Sequence, residues 1–293
     1  MLWPRNLSKK IKTRVNLSGY TSFKIGGRAE YFFEPKNIKE LQEILVSAKL
    51  ADKRVFVLGA GSNILVNDAD LSGLVIRLSN QDFRKCYVQG SSVLAGSGAG
   101  LSTLILFLKK KNLSGLEFMA GIPGTLGGAL MGNAGAWGKS VGELVSRIGV
   151  MDYNGKLKIL TSKQLKFTYR KSNLHKYIII WAKLKLRVAD ERIIAAKIKE
   201  NLLRRKEDQY CNLPNAGCVF KNPAQQAAGR LIDACGLKGK RQGKAIISKR
   251  HANFILNTGN AKSRDVLRLM DLVQKKIKGR FGISLEPEIK IWK

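Results

Sequence analysis

Residues 120–138, AGIPGTLGGALMGNAGAWG, place seven glycines in nineteen positions. Glycine opens backbone torsions with φ > 0 and removes the Cβ, so several amide N–H groups in such a stretch can point into one concavity. A concavity of that kind suits a phosphate or pyrophosphate. A second segment, LGAGSN at 58–63, follows directly on the apolar run VFVLG. Ser62, Asn63, Thr125 and Asn133 add short polar side chains to the two stretches. A single loop of this kind is compatible with tight turns alone, whereas two with interleaved Ser, Thr and Asn point to an anionic nucleotide ligand. The commoner nucleotide motifs are excluded by spacing. Gly59-Ala60-Gly61 puts Ile64, and Gly96-Ser97-Gly98 puts Leu101, where the dinucleotide fingerprint needs its third glycine. Gly138-Lys139-Ser140 resembles the end of a P-loop, but Asn133 stands where its first glycine belongs.

The periodicity around these segments mixes helix and strand. Residues 37–51 repeat apolar side chains at helical spacing behind Asn37, a good N-cap. Strands are expected at 55–59, 74–78, 92–100, 148–152, 157–160 and 177–188, with a helix at 101–112. That alternation indicates an α/β or α+β domain. Composition shifts near residue 190, where the charged, periodic stretch 190–209 reads as a helix and a new domain begins. The last third is expected to hold helices at 225–235 and 261–278 and a terminal strand at 283–292.

Length and composition fit two or three modest domains with real cores: 293 residues, 44% hydrophobic and 8% aromatic. The longest apolar run, Tyr177 to Ala182, is far too short to cross a bilayer, and the N-terminus carries no apolar signal region. Cys86, Cys211, Cys218 and Cys235 form no C-x-x-C pair, and there are two histidines. No metal site or disulfide framework is expected, and a reducing cytoplasm is the expected location. Lys plus Arg number 53 against 21 Asp plus Glu, a net charge of +32. Such a balance attracts polyanions. The cations are spread over the whole length, without a basic tail or an RNA-binding aromatic signature, so a solvated basic surface is the simpler reading. A basic nucleic-acid-binding protein is the alternative from another class.

In order along the chain stand TSFKIGG (21–27), LGAGSN (58–63), the glycine-rich segment 120–138, YRKS (169–172), AGCVFKNP (216–223), AGRLIDACGLKGKRQGKAIISKRHANFILN (228–257) and LEPE (285–288). Together they make the chain resemble the UDP-N-acetylenolpyruvoylglucosamine reductase family from about Thr21 to Ile291. The resemblance implies an α+β protein with α/β elements: a two-part FAD-binding module of the vanillyl-alcohol-oxidase class and a C-terminal α+β substrate-binding domain. On that pattern residues 1–80 and 81–189 are the two FAD-binding subdomains and 190–285 the substrate domain, with the terminal strand near 286–293 returning to the first. No inserted tyrosine loop is visible, so the chain resembles the shorter of the family's two types.

The implied reaction belongs to peptidoglycan precursor synthesis. NADPH passes hydride to FAD, and hydride then reaches the enolpyruvyl double bond of the UDP-sugar, giving UDP-N-acetylmuramate. Negative charge gathers on the carbon bearing the carboxylate, which needs electrostatic stabilisation and then a proton. The catalytic positions implied are Arg170, Cys218 and Glu288. Arg170 would bind the substrate carboxylate with its planar guanidinium. Glu288 would sit beside that carboxylate, protonated or hydrogen-bonded, and is preferred to Glu286 because it aligns with the family's catalytic position. Cys218 stands where many members have serine. A free thiol has a pKa of roughly 8.5, so it is a competent proton donor to a carbanion, at the cost of a larger atom and sensitivity to oxidation. The other three cysteines are read as structural, and His251 as a structural hydrogen-bonding residue. FAD is expected on Leu58, Gly59, Ala60, Gly61, Ser62, Asn63, Gly121, Ile122, Pro123, Gly124, Thr125, Gly128, Asn133, Ala134 and Gly135. Substrate contacts are expected from Tyr169, Arg205, Lys221 and Asn222. After Gln209 the family continues with Pro-Leu, whereas here Tyr210-Cys211 intervene. The expected partners are the UDP-sugar and NADPH, with no specific nucleic acid, no membrane and a monomeric state. Another FAD oxidoreductase on the same flavin module is the alternative among enzymes.

Overall fold

A computed structural model describes residues 3–209, 212–224 and 226–293. The chain divides into two compact units, each assembled from three stretches of sequence. The first unit holds Met1–Thr13, Tyr31–Ala60 and Ser72–Arg204, and the second Arg14–Glu30, Gly61–Leu71 and Arg205–Lys293.

The centre of the first unit is a five-stranded antiparallel sheet in the order Leu157–Thr161, Val145–Asp152, Tyr177–Lys185, Ser92–Gly96, Cys86–Gln89. Its central strand, Tyr177–Lys185, explains why YIIIWA is apolar without alternation: the sheet has a core on both faces. Ile179, Ala182 and Leu184 join Val93, Ala95, Ile148 and Val150 under the helix Leu101–Lys110. Ile178 and Ile180 face the other way, into a core with Phe33, Leu41, Ile44, Leu45, Leu74 and Ile76. That second core is covered by the helix Ile38–Leu50, whose Leu41, Ile44, Leu45 and Ala48 fall on one face. Asn37 caps it as expected, its Oδ1 accepting the Glu40 N–H at 3.0 Å. Beside it the strands Val55–Leu58 and Leu71–Arg77 pair in parallel, Val55 opposite Leu74 and Leu58 opposite Arg77.

The second unit combines a three-stranded antiparallel sheet, Arg241–Gln242, Ala245–Ile247 and Ile255–Asn257, with the helix Ser263–Phe281. Val266, Leu269, Met270, Val273 and Ile277 of that helix pack on Ala245, Ile247, Ile255, Phe220 and Leu231. The helix ends at Gly282, whose φ of 70° and N–H bond to the Lys278 carbonyl form a left-handed C-cap. The last strand, Lys290–Trp292, lies parallel to Ile64–Val66.

Several expected elements are corrected. The terminal strand covers only Lys290–Trp292 instead of 283–292, and before it Pro287 forms a single isolated bridge to Phe220. The helix expected from 225 spans Ala228–Ala234, and Gln225 lies outside the described residues. The helix expected at 261–278 runs Ser263–Phe281, and the strand expected at 92–100 ends at Gly96. A helix, Leu126–Met131, stands inside the glycine-rich segment where none is expected. No helix among the described residues is long and apolar enough to cross a membrane.

Candidate functional site

In the first unit the strand Val55–Leu58 delivers Gly59 against the glycine-rich segment. A Cβ on Gly59 would lie 2.7 Å from the Thr125 Oγ1, so only glycine admits this approach. The two glycine segments that sequence analysis singles out therefore meet here. A third joins them. The turn Ser97–Gly100 receives the amides of Leu126 and Gly127 on the carbonyls of Ala99 (2.9 Å) and Ser97 (2.8 Å), and Leu101 donates to the Gly124 carbonyl at 3.0 Å. Thr125 Oγ1 accepts the Gly128 N–H and the Thr125 carbonyl accepts that of Ala129. The amides of residues 126–129 are thus consumed inside the protein, and a phosphate must find other donors.

The Ser97 side chain is 4% exposed, and its hydroxyl has no hydrogen-bond partner among the described residues. A Cβ built on Gly100, Gly128 or Gly132 would meet nothing nearer than 3.6 Å, and one on Gly138 nothing within 4 Å. In the sequence Gly96-Ser97-Gly98 stands out only as a failed fingerprint. The signal for its role is the run of glycines at a strand's end.

The YRKS motif forms a hairpin. Phe167–Thr168 pairs with Lys171–Ser172, leaving Tyr169 and Arg170 in the turn. Tyr169 is exposed, and the half-buried Arg170 has φ of 53° with its guanidinium carbon 5.2 Å from the Tyr169 ring centre. Asn133 does not spend its side chain as a free donor. Its Nδ2 donates to the Thr168 carbonyl at 2.9 Å, and its Oδ1 accepts the Gly142 N–H at 3.0 Å. Ala134 donates to the Ala129 carbonyl, and Gly135 pairs opposite Ser140.

In the second unit Gly61, Ser62 and Asn63 are tied to the remaining motifs. Gly61 has φ of 65°, and a Cβ there would lie 2.2 Å from the Tyr20 carbonyl oxygen. Its own carbonyl accepts the Ser22 N–H, while the Ser22 hydroxyl donates to the Asn215 carbonyl at 2.6 Å. The Asn63 carbonyl accepts the Lys290 N–H, and Asn63 Nδ2 reaches the Glu288 carbonyl at 3.3 Å. The Glu288 N–H donates to the Val219 carbonyl at 2.8 Å, Phe220 faces Pro287, and the Lys221 N–H donates to the Glu286 carbonyl. Cys218 and Glu288, seventy residues apart in sequence, therefore stand on neighbouring extended segments.

On its other side Cys218 faces Phe254 and packs against Ile246, Phe254 and Leu256. Asn253 locks this segment. Its Oδ1 accepts the Phe220 N–H at 3.0 Å, its Nδ2 donates to the Phe220 carbonyl at 2.8 Å, and its carbonyl accepts the Val219 N–H. In the sequence Asn253 carries no signature beyond its place in HANF. Lys221 Nζ forms a 2.5 Å ion pair with Glu286 Oε1, and Asn222 Oδ1 accepts the Ala228 N–H, fixing the start of the helix Ala228–Ala234. Arg205 is half-buried on the helix Glu191–Gln209, whose Glu207 carbonyl accepts two bonds from Arg250.

Burial pushes the half-buried His251 imidazole below the usual histidine range, and its Nδ1 has no hydrogen-bond partner among the described residues. The ring packs edge-on to Phe254 at 4.8 Å, and the His251 backbone N–H donates to the Ser248 Oγ at 3.2 Å. Burial likewise pushes the Cys86 thiol up. Tyr210 and Cys211 lie outside the described residues.

Residues 29–161 match the family model of an FAD binding domain, and residues 208–292 match that of the UDP-N-acetylenolpyruvoylglucosamine reductase C-terminal domain. A UDP-N-acetylenolpyruvoylglucosamine reductase of Moorella thermoacetica is 40% identical over 98% of this chain and 94% of its own length. The chain belongs to the UDP-N-acetylenolpyruvoylglucosamine reductase family. The reductase 2 of Symbiobacterium thermophilum is 41% identical over 97% of this chain and 92% of its own. The crystal structure of the family's Thermus caldophilus member superposes with a TM-score of 0.84 at 34% identity, covering 97% of this chain and 99% of that one. The α+β fold and the FAD-binding module implied by the resemblance follow from these matches. The described residues also fit FAD on their own terms: a buried hydroxyl without a partner stands beside backbone that no Cβ covers, where two glycine segments meet.

Proposed function

We propose that the protein is an FAD-dependent reductase that converts UDP-N-acetyl-enolpyruvoylglucosamine to UDP-N-acetylmuramate with NADPH as hydride source. Family membership over nearly the whole chain carries this reading. FAD, when bound, supplies the relay of hydride from NADPH to the enolpyruvyl double bond. Leu58, Gly59, Ala60, Gly61, Ser62, Asn63, Gly121, Ile122, Pro123, Gly124, Thr125, Gly128, Ala134 and Gly135 are the residues we assign to its binding; Asn133, expected among them, is left out because both polar atoms of its side chain are spent inside the protein.

Arg170 binds the substrate carboxylate and spreads the charge that develops next to it. Cys218 gives its thiol proton to the carbon that bears the carboxylate, leaving a thiolate that is reprotonated from solvent. Glu288 acts on the same group. Its half-burial supports this choice, whereas Glu286 is 70% exposed and engaged with Lys221. Tyr169, Arg205, Lys221 and Asn222 complete the proposed substrate contacts.

We read 1–80 and 81–189 as two subdomains and 190–285 as a substrate domain; the core under the helix Leu101–Lys110, whose buried residues all lie between Val93 and Leu186, supports the second of these. We also propose a cytoplasmic monomer that attracts nucleic acid only through its net charge. The test is an absorbance spectrum of the purified protein. Flavin bands should bleach with NADPH and return with the enolpyruvyl UDP-sugar; a colourless protein that FAD cannot reconstitute refutes the proposal.

A further inference from the structure

Asn133 follows the helix Leu126–Met131 and is 5% exposed, with φ of 44°. Asparagine is among the few side chains that tolerate this left-handed torsion. Its side chain bridges two other parts of the first unit, donating to the Thr168 carbonyl and accepting from the Gly142 amide. Two residues earlier in the same segment, the Met131 carbonyl accepts the Ser172 hydroxyl at 2.8 Å. Thr168 and Ser172 lie on the two strands of the hairpin that carries Arg170.

That hairpin has two residues per strand, far too few to hold its own shape in water. Its orientation must come from outside: Phe167 packs on the core of the unit, Asn173 ties the base of the hairpin to Lys166, and these two bonds tie its strands to the glycine-rich segment. The Thr168 carbonyl belongs to the planar peptide that enters the turn, so fixing that oxygen fixes the first rigid plane leading to Arg170. Arg170 itself is held at a positive φ of 53°, a torsion that a non-glycine residue keeps only where its surroundings impose it. We propose that Asn133 is the positioning residue for Arg170, linking the glycine-rich segment to the guanidinium. The inference rests on the assignment of Arg170 to the substrate carboxylate.

Asn133→Gly keeps the backbone torsion and removes both side-chain bonds. Asn133→Asp keeps the acceptor for Gly142 and removes the donor to Thr168. Both holoenzymes should retain flavin content and spectrum, and NADPH should bleach them within about threefold of the wild-type rate. Reoxidation by the enolpyruvyl UDP-sugar should slow by about 10- to 100-fold, the scale expected when a reacting group is misplaced by about 1 Å. In an Arg170→Ala background, adding Asn133→Gly should slow reoxidation no further.

Reoxidation at the wild-type rate in both Asn133 variants, with Arg170→Ala slow, overturns the positioning role alone. Loss of flavin, or equal slowing of both half-reactions, overturns it in favour of a role in holding the cofactor. An additional loss in the Arg170→Ala background does the same in favour of an effect that bypasses Arg170. Wild-type reoxidation in Arg170→Ala overturns the Arg170 assignment itself.

Discussion

Replacing Asn253 by alanine removes both side-chain bonds to the Phe220 backbone, at 3.0 Å and 2.8 Å, in a buried setting. The Phe220 N–H and carbonyl are then left without partners. Each orphaned group costs about 1–3 kcal/mol, so the loss should be about 2–6 kcal/mol. At about 3–4 °C per kcal/mol, the melting transition of the second unit should fall by roughly 6–24 °C. Circular dichroism melts and urea titrations measure this directly. Asn253→Asp gives a sharper version. The acid keeps the acceptor for the Phe220 N–H but, when ionised, sets a carboxylate against a carbonyl oxygen. Burial and that neighbour raise its folded pKa, and the protonated acid can donate where Nδ2 does. Its stabilising contribution is therefore fully present below the unfolded value of about 3.9 and lost as pH rises through the raised folded value. Relative to wild type, the variant should be more stable at pH 5 than at pH 8. A loss below about 1 kcal/mol in Asn253→Ala, or an Asn253→Asp deficit that does not grow with pH, refutes the clamp.

Gly61→Ala should destabilise by more than the 1–2 kcal/mol typical of an unfavourable left-handed torsion, because its Cβ would also meet the Tyr20 carbonyl at 2.2 Å; chemical denaturation checks this. Cys218→Ala should still be bleached by NADPH yet fail to turn over, while Cys218→Ser retains much activity; full turnover in the alanine variant removes the proton-donor role. His251 has a folded pKa depressed by burial, so its neutral form contributes stability that is present above its unfolded pKa of about 6.5 and lost as pH falls. His251→Phe should flatten the dependence of stability on pH from about 6.5 downward, read from urea midpoints.

Much of the scaffold was legible from pattern. Asn37 and the helical spacing after it marked Ile38–Leu50, and the apolar run from Tyr177 marked a strand. The helix Leu126–Met131 was not legible, since two of its six residues are glycine, each costing about 1 kcal/mol of helix propensity, and one and a half turns give no usable period. What stabilises it is tertiary: Leu126, Ala129 and Leu130 are buried, and Thr125 caps it. The motifs AGCVFKNP and LEPE were visible as strings, but the pairing of Val219 with Glu288 joins residues too far apart for any local signal. Asn253 was missed for a related reason. A side chain that bonds to a backbone 33 residues away leaves no trace in spacing. Asn133 was noticed, yet its type alone cannot distinguish a donor to a ligand from a strut to Thr168 and Gly142.

The interleaving of the two units bears on how the chain is made. Phe23, Ile25 and Leu65 bury themselves among residues of the last third, including Val219, Val266, Leu269 and Ile289. On a ribosome adding about 5–20 residues per second, Leu65 waits roughly 10–50 s before the C-terminal helix Ser263–Phe281 is complete. Through that interval these apolar side chains lack their final shelter while the first unit can already be collapsing around its own sheet. Slowed translation of the last ninety or so codons lengthens that interval and should lower yield more than an equal slowing of the first twenty, which leaves it unchanged.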